Sequence, residues 1–232
     1  MTDIATPPPR REGEYEKLVA ELYQNHPEIT FPPEYAYFTR DNLLQFLIRL
    51  ARYKFIARQL RPSDEVLEIG CGSGLGAIFL AQHACHVTGL DLKEYEIEEA
   101  ARLNRRDNLT FEVADFFTWS TDKKYNVIVL LDVIEHLDPD RGRQMIEHTT
   151  RFLKPEGFLA LGTPSRYSYE YQSAFSQAAH ICLYDQTELL NLVESYYNRA
   201  LAFSMNDELV HTGFAKLAWY YFVLAFGPRP PG

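Results

Sequence analysis

The chain has 232 residues, of which 46% are hydrophobic and 24% charged, a composition typical of a globular protein that buries a sizeable core. Its net charge of −9 argues against nucleic acid or an anionic membrane as a partner, because both attract clustered Lys and Arg. Three cysteines are too few for a disulfide framework, no apolar run could span a bilayer, and the N-terminus lacks a secretory signal, so we expect a cytoplasmic protein.

The first sixty residues differ in pattern from the rest. Residues 1–12 are Pro-rich and charged and predict a flexible arm. Residues 13–60 predict an N-terminal helical cap or lid, in which Thr39 is the expected N-cap of a longer helix with Asp41 in its first turn. Residues 61–232 form the main predicted domain.

From residue 65 onward, short β-rich runs alternate with helical segments at 74–83, 94–105 and 139–153. This alternation predicts an α/β fold with a doubly wound parallel sheet. A short connection before the last run favours an antiparallel final strand. The seven candidate strands are EVLEIG, HVTGLD, LTFEVAD, YNVIVLLD, GFLALGTP, RALAFSM and WYYFVLAFG.

The glycine-rich stretch VLEIGCGSGLG follows the first apolar run. Glycines here let the backbone turn tightly and approach a ligand closely. Gly72, Gly74 and Ala77 also spell G-x-G-x-x-A, and Asp91 follows at a spacing that suits the ribose contact of a nicotinamide enzyme. The loop taken alone leaves this alternative open.

The series VLEIGCGSG, GLD, VADF and LLDVIEHL, in this order, resembles the class I S-adenosylmethionine-dependent methyltransferases. The resemblance implies a seven-stranded, Rossmann-like sheet with an antiparallel last strand, and S-adenosyl-L-methionine as the cofactor. Glu68, inside the first strand, favours this family over nicotinamide enzymes. In the methyltransferases this position supports the ammonium-bearing methionine end, whereas a buried acid would repel a dinucleotide phosphate.

The resemblance also implies a role for each loop. Asp91, followed by Leu92, would accept both ribose hydroxyls, since a carboxylate can take two donors. Asp115 would accept the adenine amino group, with Phe116 beside the ring. The predicted cofactor-binding set is Arg52, Glu68, Gly70, Cys71, Gly72, Gly74, Asp91, Leu92, Asp115, Phe116, Leu131 and Asp132.

Three further expectations concern the methionine end of the cofactor. Leu131 and Asp132 would close over the sulfonium. Arg52 lies about as far before the first strand as an arginine that faces the cofactor carboxylate in ubiquinone-biosynthesis O-methyltransferases; a surface charge on a helix is the alternative. The chain departs from the related bacterial subgroup at Ser73, where that subgroup usually carries Asp.

An alcohol or phenol acceptor needs a base beyond the transferred methyl. His180 in the long insert after strand five, His136 after strand four and His211 after strand six are the candidate catalytic residues. No metal ligand is assigned. A divalent-metal site is the less favoured alternative, with ligands from Glu135, His136, Asp207, Glu208 and His211.

These expectations combine into a small-molecule methyltransferase that acts at oxygen. RYKF, DVIEHL, AAH and MNDELVHTGF resemble a bacterial subgroup associated with cell-surface polysaccharide or secondary metabolism, so a sugar-containing acceptor comes first. A phenol or quinone precursor comes second, and a catalytically idle cofactor-binding protein is a further alternative. A homodimer is left open.

Overall fold

A computed structural model of the chain describes residues 13–25 and 30–230, so the predicted arm at residues 1–12 lies outside the described residues. The described residues contain eight strands, all in one sheet. In chain order they are β1 (Glu65–Ile69), β2 (His86–Asp91), β3 (Leu109–Val113), β4 (Tyr125–Leu131), β5 (Leu153–Pro164), β6 (Tyr197–Asn206), β7 (Leu209–His211) and β8 (Tyr220–Pro228).

Of the described helices, three precede the sheet in the chain, and the other five lie between its strands. They are α1 (Glu14–Asn25), α2 (Pro33–Asp41), α3 (Leu43–Ala57), α4 (Leu75–Leu80), α5 (Glu94–Leu103), α6 (Pro139–Thr150), α7 (Ala174–Ala179) and α8 (Gln186–Glu194). Short 3₁₀ turns occupy Ile134–His136, Arg166–Tyr171 and Ala215–Leu217. No helix within the described ranges has the length and apolarity needed to cross a membrane.

The sheet has the strand order β3-β2-β1-β4-β5-β8-β6-β7. The first five strands pair in parallel, and β8 lies antiparallel between β5 and β6. The predicted α/β, Rossmann-like sheet with an antiparallel last strand is therefore confirmed. Helices connect the parallel strands, because two parallel neighbours can be joined only by a long crossover connection.

Strand β4 shows how the sheet separates two cores. Val127, Val129 and Leu131 pack into the core that contains Ile56 of α3, because alternate side chains of a strand point to opposite faces. The intervening Ile128 and Leu130 pack into the core with α6 and α8. Both faces of β4 are buried, which explains why its sequence is an uninterrupted apolar run.

The structure has one strand more than the seven predicted. The extra strand, β7, pairs antiparallel with β6 inside the short connection before the last predicted strand. Asp207 adopts a positive φ of 49° at the turn between them, a conformation that Asp tolerates better than most residues. The polar segment NDELVH is thus a short hairpin at the edge of the sheet.

The expected N-cap at Thr39 is wrong. Thr39 lies inside α2, where its hydroxyl donates to the Tyr35 carbonyl at 2.7 Å. Pro33 occupies the first turn of α2, a position that suits proline because its missing N–H has no helical partner there. Asn42 instead caps α3, since its side chain accepts a hydrogen bond from the Gln45 amide.

The insert after β5 also has more structure than predicted. It contains α7 and leads directly into α8, neither of which we had anticipated. Asp185 and Glu188 form a capping box at the start of α8, with each side chain accepting from the other residue's amide. The D-x-x-E spacing is a sequence indicator of such a start.

Candidate active site

The carboxyl ends of β1 and β4 lie side by side in the middle of the sheet. β1 pairs with β2 on one side and with β4 on the other, so the order of the strands reverses here. Ligands of open α/β sheets bind in the crevice at such a reversal. The loops after β1, β2, β3 and β4 therefore form the candidate site.

The glycine loop after β1 combines unusual backbone angles with an open side. Gly70, Gly72 and Gly74 have positive φ values of 74°, 51° and 81°, which side chains disfavour. A Cβ atom on Gly74 would lie 2.6 Å from the Phe111 ring. A Cβ atom on Gly72 would meet nothing closer than Glu96 at 4.0 Å. The loop is therefore tightly packed against Phe111 at Gly74 and open at Gly72, where a ligand can approach the backbone.

Asp91, the last residue of β2, is tied to this loop. Its Oδ2 accepts a hydrogen bond from the Gly72 amide and its Oδ1 one from the Lys93 amide, both at 2.9 Å. A carboxylate has about four lone-pair sites, so both oxygens can accept further donors. Leu92 follows with 69% of its surface exposed. The ribose contact of Asp91 and Leu92 stays a prediction.

Glu68 lies buried in β1, next to the glycine loop. The Tyr53 hydroxyl of α3 donates to its Oε1 at 2.7 Å, and its Oε2 has no hydrogen-bond partner among the described residues. Burial raises the pKa of Glu68 to about 8, and nearby Asp91 adds to this while Tyr53 opposes it. An unpartnered buried carboxylate oxygen is costly, so this position suits a cationic ligand group.

Arg52 is buried in α3 rather than exposed as a helix surface charge. Its Nη1 donates to both oxygens of Asp132 at 2.9 and 2.7 Å, and its guanidinium lies 3.9 Å from the centre of the Tyr220 ring. Burial alone would lower the pKa of Arg52, but Asp132 and Tyr220 together outweigh it, so the pKa is raised and the group stays charged. Asp132 has a positive φ of 55°, so the turn after β4 directs this carboxylate towards α3.

The other predicted cofactor residues differ in how much of each side chain is left available to a ligand. Asp115 Oδ1 accepts from the Phe117 amide at 2.9 Å and so stabilises the turn after β3. Phe116 is only 4% exposed, because its ring packs in a core that also contains Phe152. Leu131 and Cys71 are buried as well. The adenine contacts stay a prediction, and the side chain of Phe116 has little surface left for one.

Tyr35 of α2 lies over the glycine loop, where its phenol is close to Ser73 and to the backbone of Leu75. Tyr35 and Ser73 are both buried, while neighbouring Tyr37 is exposed. Helix α2 thus covers the glycine loop on one side of the crevice. The domain boundary at residue 60 stays a prediction, and α3 shares the core of the sheet.

Beyond Asp132, the loop after β4 meets the insert after β5. The rings of His136 and His180 lie 5.2 Å apart, and the backbone carbonyl of Glu135 accepts from the Ile181 amide at 2.7 Å. Glu135 is fully buried, and its Oε2 accepts from the Thr163 hydroxyl at 2.9 Å. The structure therefore brings together two of the three predicted catalytic histidines.

The third predicted catalytic histidine, His211, lies in β7 and bonds within the β6–β7 hairpin. Its Nε2 is hydrogen-bonded to Asn206 Oδ1 at 3.0 Å across the β6–β7 hairpin. Within the described residues, the group of side chains within metal-ligating distance consists of Glu135, His136 and His180, and it includes neither His211 nor the acids of the hairpin.

Sequence reasoning missed two residues that position others. Tyr53 holds Glu68, and Gln172 Oε1 accepts from His180 Nδ1 at 2.7 Å. Tyr53 follows Arg49 by one helical turn on the face that also carries Arg52, so helical periodicity could have identified it. No local pattern identifies Gln172, because its partner lies in a later turn of the insert.

A comparison with protein families matches residues 35–196 to a family described as a methyltransferase domain. The ubiquinone biosynthesis O-methyltransferase of Coxiella burnetii is 32% identical over 125 residues, which are 52% of this chain and 52% of that protein. The enzyme of the same name from Rickettsia akari is 29% identical over 140 residues, or 57% and 55% of the two chains. The chain thus spans about half the length of these curated relatives.

Among solved structures, the chain is similar to the N-methyltransferase NodS from Bradyrhizobium japonicum in complex with S-adenosyl-l-homocysteine. The TM-score is 0.62 at 19% identity, and the alignment covers 93% of this chain and 98% of NodS. At this identity the likeness concerns the fold.

Proposed function

The chain belongs to the methyltransferase domain family, among the class I S-adenosylmethionine-dependent members, and on that premise we propose that it methylates a small molecule at oxygen. The transferred methyl comes from S-adenosyl-L-methionine, the cofactor of this family. The proposal depends most on one observation: Glu135, His136 and His180 gather just beyond Asp132, where the loop after β4 meets the insert after β5.

The crevice offers groups that fit the cofactor. Glu68 has an unpartnered, buried Oε2 next to the glycine loop, which suits the ammonium of a methionine moiety. Gly72 is open to solvent space, which suits the close approach of the same moiety. Asp91 keeps acceptor capacity for the ribose hydroxyls. The buried acid in β1 is the feature that disfavours a nicotinamide dinucleotide.

The acceptor side contains the groups that an oxygen nucleophile needs. Methyl transfer is an in-line displacement, so alignment of the acceptor supplies much of the rate and a nearby group must accept its proton. Burial, and then His136, lower the pKa of His180, with Asp132 acting in the opposite direction. His180 is therefore neutral near pH 7 and able to accept a proton. His136 is the second candidate for this role.

The insert after β5 supports a sugar-containing or secondary-metabolite acceptor. It exposes several aromatic rings that suit stacking on a sugar or a flat ring, namely those of Tyr167, Tyr169, Tyr171 and Phe175. Tyr171 also contacts exposed Trp219, with ring centres 5.8 Å apart. The second candidate is a phenol or quinone precursor, and the relatives from Coxiella and Rickettsia favour it.

The test is transfer of labelled methyl from S-adenosylmethionine to a small-molecule extract of the source organism, followed by partition between water and an organic solvent. Label in the aqueous phase supports the sugar-containing acceptor, and label in the organic phase supports the phenol or quinone precursor. Tight cofactor binding without labelled product from any fraction would contradict the enzymatic proposal and favour a catalytically idle binding protein.

A further inference from the structure

We propose that Glu135, His136 and His180 form a site for one divalent transition-metal ion, which binds two adjacent oxygen atoms of the acceptor. This inference rests on the proposed methyltransferase function for the role of the ion, but the ion's binding is independent of it. The ligands would be a carboxylate and two imidazoles, a set typical of first-row metals.

The geometry brings three ligand types to one point. Each of the three residues offers one ligand atom, and these atoms lie within 4.8 Å of one another. Metal–nitrogen and metal–oxygen bonds are about 2.0–2.2 Å long, so small side-chain rotations complete the coordination. Glu135 is buried, His180 is half-buried and His136 is exposed, which gives an ion a path from solvent.

Both histidines are already oriented as metal ligands commonly are. His136 Nδ1 lies 3.0 Å from the Ala179 carbonyl, and His180 Nδ1 lies 2.7 Å from Gln172 Oε1. Oxygen atoms of these two kinds only accept, so each Nδ1 carries the proton. The Nε2 lone pair of each ring is therefore left for an ion, an arrangement in which a neighbouring carbonyl fixes the ligating tautomer.

Glu135 supplies the independent indication of a missing partner. Thr163 satisfies its Oε2, but Oε1 is buried with no hydrogen-bond partner in the part of the chain that the structure describes. Such an oxygen is costly unless a donor or cation meets it. Asp132 lies close enough to interact electrostatically with both Glu135 and His180, and its own charge is balanced by Arg52. A cation at this position would supply the partner that Glu135 Oε1 lacks.

Three protein ligands leave coordination positions open. Two adjacent oxygens, as in a catechol or a vicinal diol, would fill them and hold one oxygen towards the cofactor. The ion would lower the pKa of that hydroxyl, whose proton passes to solvent, so His180 serves as a ligand and not as the proton acceptor when the ion is bound. The oxygen then forms a bond to the methyl carbon as the carbon–sulfur bond breaks, and sulfur keeps the electron pair, which yields S-adenosylhomocysteine.

The test is titration of the chelator-treated full-length protein with Co²⁺ alone, without methyl donor or acceptor, followed by visible absorption. We expect one Co²⁺ per chain with d–d bands. Glu135→Gln and His180→Gln should each weaken this binding at least about tenfold. His86 is the first residue of β2, at the end of the strand away from the site, and is hydrogen-bonded to Thr110. The control His86→Gln should therefore bind Co²⁺ like the wild type.

Gln172→Ala provides a test that leaves all three ligands in place. It removes the acceptor that orients His180, so Co²⁺ affinity should fall by about tenfold while the melting temperature stays close to that of the wild type. Absence of d–d bands in the wild type, or equal Co²⁺ affinity in the wild type and in well-folded ligand variants, would overturn the proposal.

The two proposals fail in different ways. If Co²⁺ binds as expected but no acceptor becomes methylated, the metal site stands and the proposed function is wrong. If the protein methylates its acceptor fully in the presence of a chelator and does not bind Co²⁺, the function stands and His180 acts as a simple base. Loss of turnover with chelator and its return with Mn²⁺ are expected if both proposals hold.

Discussion

The two halves of the crevice are built in different ways. Beside the glycine loop, a side chain bonds to the backbone of the neighbouring loop, as when Asp91 Oδ2 accepts from the Gly72 amide. On the acceptor side, side chains far apart in the chain meet, as when His180 of the insert lies against His136. The first arrangement can be recognised as a local motif. The second exists only when β5 and its insert have packed beside β4.

Asp91→Ala should have the largest effect on the cofactor half. The change removes two predicted hydrogen bonds to ribose and leaves the Gly72 amide without its acceptor. Hydrogen bonds to a charged group contribute about 1.5–3 kcal/mol each, so affinity for S-adenosylmethionine should fall at least about 100-fold by calorimetry. The control Asp122→Ala removes an exposed acid after β3 and should change nothing. Near-normal affinity in Asp91→Ala would contradict the ribose assignment.

Gly74→Ala tests whether the glycine loop is required by packing as well as by binding. A Cβ atom there would lie 2.6 Å from Phe111 and 2.7 Å from Ala100, at a φ of 81°. The free energy of unfolding should fall by about 2 kcal/mol, measured with urea. Gly213→Ala is the matched control, because its Cβ atom meets nothing within 4 Å and its φ is not positive. Equal stability of the two variants would show that the loop relaxes freely.

The pH dependence of cofactor binding should reveal Glu68. Its folded pKa is about 8 and its ordinary value 4.5, so the ligand-free protein holds it neutral at pH 6 and loses stability as pH rises through this window. The cofactor ammonium favours the ionised acid. The ionised fraction of Glu68 rises from about 1% at pH 6 to about 50% at pH 8, so affinity should rise by about fifty-fold over this range in calorimetry. A slope of the same size in Glu68→Gln would assign the effect to another group.

The smallest effect is expected at the aromatic insert. Phe175 is 84% exposed, so Phe175→Ala should leave the melting temperature unchanged. If the ring stacks on the acceptor, KM should rise about threefold with kcat retained, because the lost contact is present before and during transfer. Phe175→Tyr keeps a flat ring and should keep the wild-type KM. A change in cofactor affinity would instead couple this surface to the other half.

Local chemistry explains which parts of the fold were predictable. The apolar run of β4 and the glycines after β1 are signals contained in a few consecutive residues, and both were interpreted correctly as elements of an α/β sheet. The hairpin at β7 and the helices of the insert were missed. β7 is only three residues long, and its pairing with β6 depends on a turn at Asp207 that short-range patterning does not specify.

Side-chain partners show the same division. The sequence predicted Arg52, Glu68 and Asp132 as site residues, but it did not predict their hydrogen-bond partners. Tyr53 reaches Glu68 only because α3 packs across β1, and Arg52 reaches Asp132 over 80 residues of chain. Thr39 was wrongly predicted as an N-cap because a threonine hydroxyl can either cap a helix or donate to the carbonyl four residues earlier inside one.

The amino-acid sequence by itself determined the alternation of strands and helices, the glycine loop and the order of acids at the strand ends. These follow from periodicity and backbone conformation, which neighbouring residues control. The tertiary structure alone decided that Glu135, His136 and His180 meet, and that His211 is held by Asn206 instead. Such contacts depend on which strands pair and where an insert folds back, because desolvation and coordination act only between groups that packing has brought together.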